Sequence, residues 1–181
     1  MEPLPISLSA KQRRRCDQIA QRWNDFARQR GPGRKVDQRR NNLEINQQGA
    51  LGEAAAAVWL GVFDEWADLA DRAEIATNQP DVGLFHVRSA APERGLIVKP
   101  GDTAKPRDAY LLVWVVAPIR QTHIVGWAFG FEIKQPQFMR HDWPRPAYCM
   151  PANQTYSTDA AMRWHRSAST PQPPPRGLGP F

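Results

Sequence analysis

The segment that most constrains this chain is Gly49-Ala50-Leu51-Gly52-Glu53-Ala54-Ala55-Ala56-Ala57-Val58-Trp59-Leu60. Its spacing predicts a helix from about residue 43 to residue 60, stopped by Gly61. Leu51, Ala54, Ala55, Val58 and Trp59 follow the i, i+3, i+4, i+7, i+8 pattern of a buried face. The other face, with Gly49, Gly52, Glu53, Ala56 and Leu60, is small and nearly as apolar. A helix apolar nearly all round is buried, so other elements must cover it on more than one side. Its small residues let a strand or a ligand approach closely. Glu53 is the one ionisable group in the segment. A buried carboxylate needs a partner, and a metal ion or an arginine would serve.

Other elements group around this helix. Residues 7–30 predict a second helix, with Ser7 or Ser9 as cap and Gly31-Pro32-Gly33 as terminator. Ile19, Ala20, Trp23, Phe26 and Ala27 form its narrow apolar stripe, and Arg13, Arg14, Arg15, Arg22 and Arg28 its opposite face. From residue 62 onward the period changes to strands. Leu84–Ser89 alternates, so His86 and Arg88 share one face. Leu96-Ile97-Val98 is a short strand, and Tyr110–Val116 reads as a strand covered on both faces. Residues 123–129 form another strand, 131–142 a short helix interrupted by Pro136, and 148–150 an edge strand. The order predicts an α/β fold with a single mixed sheet and helices against it.

Residues 1–40 hold 11 Lys/Arg and 4 Asp/Glu, whereas residues 41–181 hold 13 and 14. The positive charge therefore belongs to the N-terminal arm, which suits a polyanion such as nucleic acid. The candidate contacts are Arg13, Arg14, Arg15, Arg22, Arg34, Lys35, Arg39 and Arg40. Residues 1–40 thus read as a basic helical segment, 41–165 as an α/β domain, and the Pro-rich stretch 166–181 as a disordered tail. Cys16 and Cys149 form neither a disulfide framework nor a zinc motif. The N-terminus lacks an apolar signal region, and no apolar run is long enough to span a bilayer. A cytoplasmic protein with no membrane partner is expected.

Phosphodiester hydrolysis needs an activated water and a counter-charge for the developing phosphorane. Two or three oxygen ligands for Mg²⁺ plus one Lys or Arg, on adjacent elements, are the minimum kit. Glu53 on the helix, Pro80-Asp81 at a strand head and His86-Val87-Arg88 on that strand match it in type and order. With Gly49-Ala50-Leu51-Gly52-Glu53 before them and Gly126-Trp127 after them, these pieces resemble the PD-(D/E)XK nuclease superfamily. The likeness is to its small phage and prophage members, over roughly residues 45–150. It implies a restriction-endonuclease-like mixed sheet flanked by helices and Mg²⁺-dependent (or Mn²⁺-dependent) cleavage of DNA or another nucleic acid. It also implies Glu53 and Asp81 as metal ligands, His86 at the second acidic position and Arg88 at the catalytic lysine position. A homodimer or a protein partner is compatible with such a fold. An imidazole is a weaker ligand for Mg²⁺ than a carboxylate, and an arginine stabilises charge but cannot act as a base.

Other readings remain open on the residues alone. Glu53 could pair with Arg88 in a structural ion pair. Glu132-Ile133-Lys134, with Asp102 or Asp108 upstream, is a rival tripeptide. Trp143 and Trp164 lie in polar surroundings and could stack on bases. A nuclease fold that binds nucleic acid or a host or phage protein without cleavage is the alternative to an enzyme. No phosphate-binding glycine loop, dinucleotide fingerprint, nucleophile elbow or H-E-x-x-H motif is present.

Overall fold

The computed structural model describes residues 2–29, 42–72, 79–102, 107–117 and 120–169. Strand β1 (Leu4–Ile6) precedes helix α1 (Ala10–Gln29). Ser9 caps α1: its Oγ accepts from the Gln12 amide at 3.2 Å, and Gln12 Oε1 accepts from the Ser9 amide at 2.8 Å. This reciprocal pair satisfies two orphan donors of the first turn. Cys16, Ile19 and Ala20 bury the inner face of α1. The predicted central helix is α2 (Asn42–Leu60), with Ala50, Leu51, Gly52 and Ala54–Ala57 buried. Gly61, at φ +76°, ends it; the Val62 amide donates to Ala57 O and the Gly61 amide to Val58 O. That is the glycine-dependent helix stop.

The chain does not turn to strand at residue 62. Helix α3 (Phe63–Ala70) comes first, burying Trp66, Ala67 and Ala70 at helical spacing. Then follow β2 (Phe85–Ala90), β3 (Leu96–Val98), β4 (Ala109–Val116), β5 (Gln121–Phe129), α4 (Gly130–Ile133), β6 (Met139–Arg140), β7 (Ala147–Met150) and α5 (Thr158–Ser169). A 3₁₀ turn at Pro136–Phe138 and β6 replace the longer helix expected over 131–142. Helix α5 also occupies residues 166–169, which were expected to be tail; residues 170–181 lie outside the described residues.

The strands form two sheets rather than one. The main sheet runs β1-β5-β4-β2, with β2 parallel to β4 and the other pairings antiparallel. The second runs β3-β7-β6 and is antiparallel. The first core lies between α2 and one face of the main sheet, where Phe85, Val87, Leu111, Val113 and Ile124 point. The second core lies on the opposite face, where Tyr110, Leu112 and Val125 meet Leu96, Val98 and Met150. Strand β4 is therefore covered on both faces, as its unbroken apolar run requires. Residues 4–29 are built into the same body, through β1 on β5 and α1 in the first core. Among the described residues, no helix is long and apolar enough to cross a membrane.

Candidate functional site

The site forms where α2 packs against β2. Gly52 makes the packing close: a Cβ there would lie 1.9 Å from Ser89 Oγ and 2.9 Å from Ser89 Cβ. The small face of the helix thus admits a strand, and the next residue, Glu53, feels the charges of Asp81 and Arg88. Glu53 is partly buried. Its Oε2 accepts a hydrogen bond from the indole N–H of buried Trp66, at 3.1 Å.

Asp81 arrives on a tight turn. Val82 and Phe85 bridge, Gly83 adopts φ +56°, and the Asp81 and Val82 amides both donate to Phe85 O. Asp81 Oδ2 then accepts from the Val87 amide at 2.7 Å and faces Arg88 Nη1 at 3.4 Å. Arg88 Nη1 donates to Val87 O at 3.0 Å and Nη2 to Asp102 Oδ2 at 2.8 Å. The guanidinium lies 5.0 Å from the centre of the Tyr110 ring. Strand β2 is a sheet edge, with peptide groups facing outward. Asp81 and Arg88 occupy those groups at Phe85 and Val87, which also blunts the edge against pairing with another chain.

Burial pushes the Glu53 carboxyl up to about 8, and the nearby Asp81 charge adds to the rise; the Trp66 N–H and Arg88 pull the other way. Burial also raises Asp81, against the opposing effects of Arg88, the Val87 amide and His86; Asp102 adds to the rise. Two neighbouring carboxyls whose pKa values are both raised are a recognised mark of a working site, and of ion-pair networks too.

The structure pairs Asp81 with Arg88 and places Glu53 within electrostatic reach of both. It turns the His86 ring elsewhere: the ring is buried 5.2 Å from Tyr110, centre to centre, with Nε2 3.5 Å from Asp108 Oδ2. His86 and Arg88 do share the predicted face, since both rest on Tyr110. Glu53 has no direct ion pair with Arg88 among the described residues; Arg88 is held by Asp81 and Asp102 instead. Asp102 and Trp66 are the site residues that sequence reasoning missed. Asp102 had entered only as an acid upstream of the rival tripeptide. In that tripeptide Glu132 caps α4, accepting from the Phe129 amide and from Tyr156 Oη. Lys134 Nζ donates to Asp102 O at 2.7 Å, so it braces the Asp102 loop.

Arg13 and Arg14 are exposed on α1. Arg15 pairs with Asp71 at 3.1 Å, and Arg22 pairs with the same carboxylate oxygen. Arg34, Lys35, Arg39 and Arg40 lie outside the described residues. Trp164 packs on Phe85, Trp127 and Phe129. Trp143 lies under the Arg140 guanidinium, at 5.6 Å.

Among the described residues, no group of three or more His, Cys, Asp or Glu side chains is placed to hold a metal ion. The donor chemistry of Glu53 and Asp81 nonetheless fits Mg²⁺. That ion accepts one or two carboxylates and completes its shell with water and substrate phosphate. No protein-family model matches the chain, and no curated protein or solved structure matches it.

Proposed function

We propose that this chain is a divergent nuclease of the PD-(D/E)XK kind, cleaving DNA phosphodiesters with a divalent metal at the head of β2. The observation that carries this reading is the Asp81–Arg88 pair at the start of β2, with the Glu53 carboxyl of α2 within electrostatic reach of both. In this reading Glu53 and Asp81 hold Mg²⁺, which when bound supplies an acidified water and a clamp on a phosphate oxygen. Trp66 fixes one oxygen of Glu53 and leaves the other for a ligand. The Val87 amide does the same for Asp81 Oδ2. Arg88, positioned by Tyr110 and Asp102, presents a fixed positive charge where negative charge develops on the phosphate. It always carries its proton, so the attacking water gives its proton to solvent or to a phosphate oxygen. His86 stands outside this set and supports the strand.

The deciding assay incubates purified protein with plasmid and single-stranded DNA in Mg²⁺, Mn²⁺ or EDTA, alongside Asp81→Ala. Metal-dependent cleavage lost in the variant supports the reading; intact DNA under every metal condition refutes it.

One observation favours a second reading. Asp81 and Arg88 pair with each other and close the β2 edge, a purely structural use of both groups. A protein that binds nucleic acid without cleaving it would retain DNA with steep salt dependence and no metal requirement.

A further inference from the structure

Beside Arg88 an open trough of about 480 Å³ runs between β2 and β3. Arg88 and Asp102 line it together with Ser89, Ala90, Ile97 and, just beyond β3, Lys99. Lys99 is exposed. Asp102 already pairs with Arg88, so its charge is partly spent. The Arg88 guanidinium has more N–H donors than its contacts use. The trough thus combines two cations and a small apolar floor; the Ser89 hydroxyl faces α2 instead. That combination suits a phosphate carried on a body that has an apolar side. Its volume falls within the range of small-molecule pockets.

From this arrangement we infer that the trough seats a nucleotide of the substrate strand next to the scissile phosphodiester, with Lys99 contacting its phosphate. This rests on the nuclease reading above and adds a residue to it. Lys99 is a positioning residue: it sets where the strand lies against Arg88, and it takes no part in bond cleavage. Ile97 and Ala90 give the sugar or base an apolar surface. The sequence shows no motif here, because β2 and β3 meet only in the folded chain.

The test measures binding of a fluorescein-labelled single-stranded oligonucleotide by anisotropy, in EDTA and again in Ca²⁺, over a salt series. Wild type is compared with Lys99→Ala, Lys99→Glu and Lys99→Arg. Lys99 is exposed, so none of these variants threatens the fold. Lys99→Ala is expected to weaken binding about tenfold at low salt and to lower the salt slope by about one phosphate contact. Lys99→Glu should weaken it more, and Lys99→Arg should restore it. Plasmid cleavage is scored in parallel. Weakened binding in a protein that never cleaves supports the trough and removes the nuclease reading. Normal cleavage and binding in Lys99→Glu overturn the trough and leave the nuclease reading intact. No binding by wild type overturns both. Lys99-dependent binding of a nucleoside 5′-monophosphate, without binding of the oligonucleotide, overturns the assignment to a strand.

Discussion

Glu53→Gln should stabilise the metal-free protein at neutral pH, and the gain should grow with pH. The native carboxyl keeps its proton up to about 8, whereas the ordinary value is 4.5. Below the ordinary value both folded and unfolded chains hold the proton, and the group costs nothing. Between the two values the unfolded chain releases its proton and the native chain does not, so stability falls as pH rises. By pH 7 the loss for a wholly enclosed carboxyl is about 3 kcal/mol. Glu53 is only partly buried, so solvent reduces this to about 1–2 kcal/mol. Glutamine keeps an acceptor for the Trp66 N–H and removes the charge. Urea unfolding in EDTA should then give nearly equal stabilities near pH 5. Near pH 8 the variant should be ahead by about 1–2 kcal/mol. Taking the difference cancels groups such as His165, whose pKa burial lowers and whose contribution runs the opposite way, being lost as pH falls. A difference independent of pH would refute the reasoning.

Mg²⁺ should recover the lost stability of wild type near pH 8 by mass action and do little for Glu53→Gln, as read by the shift in unfolding midpoint. Trp66→Phe removes the donor to Glu53 Oε2 and should cost about 2 kcal/mol in urea unfolding, with weaker metal binding by calorimetry. Gly52→Ala places a methyl against Ser89 and should cost about 1–3 kcal/mol, seen as a lowered thermal midpoint. Asp81→Asn keeps an acceptor for the Val87 amide and gives up a partly exposed ion pair. Its stability should therefore stay within about 1 kcal/mol of wild type while cleavage is lost.

Local pattern made α2 and its contents legible. An apolar helix with a glycine stop needs no tertiary information to be recognised, and its small face predicts the close approach seen between Gly52 and Ser89. The alternation in β2 likewise places His86 and Arg88 on one face, where both meet Tyr110. What escaped was short or distant. Helix α3 has eight residues, few enough for its apolar period to pass as strand. Strand β1, Leu4–Ile6, exists through pairing with β5 across most of the chain. Helix α5 was not foreseen, and its last four residues were read as tail, because its anchor is the contact of Trp164 with Phe85, Trp127 and Phe129. The second sheet depends on β3 finding β7, a pairing that short segments do not announce. Trp66 and Asp102 enter the site through side-chain bonds to Glu53 and Arg88, and nothing in their spacing marks them. His86 was read from its position in a tripeptide, whereas its ring lies against Tyr110 with Nε2 beside Asp108.

The most direct test is anomalous scattering from crystals of the protein grown with Mn²⁺. The account predicts one strong peak bridging the Glu53 and Asp81 carboxylates, absent from Asp81→Ala crystals grown the same way. No peak at the head of β2, with Asp81 still closed on Arg88 and the Val87 amide, would contradict it.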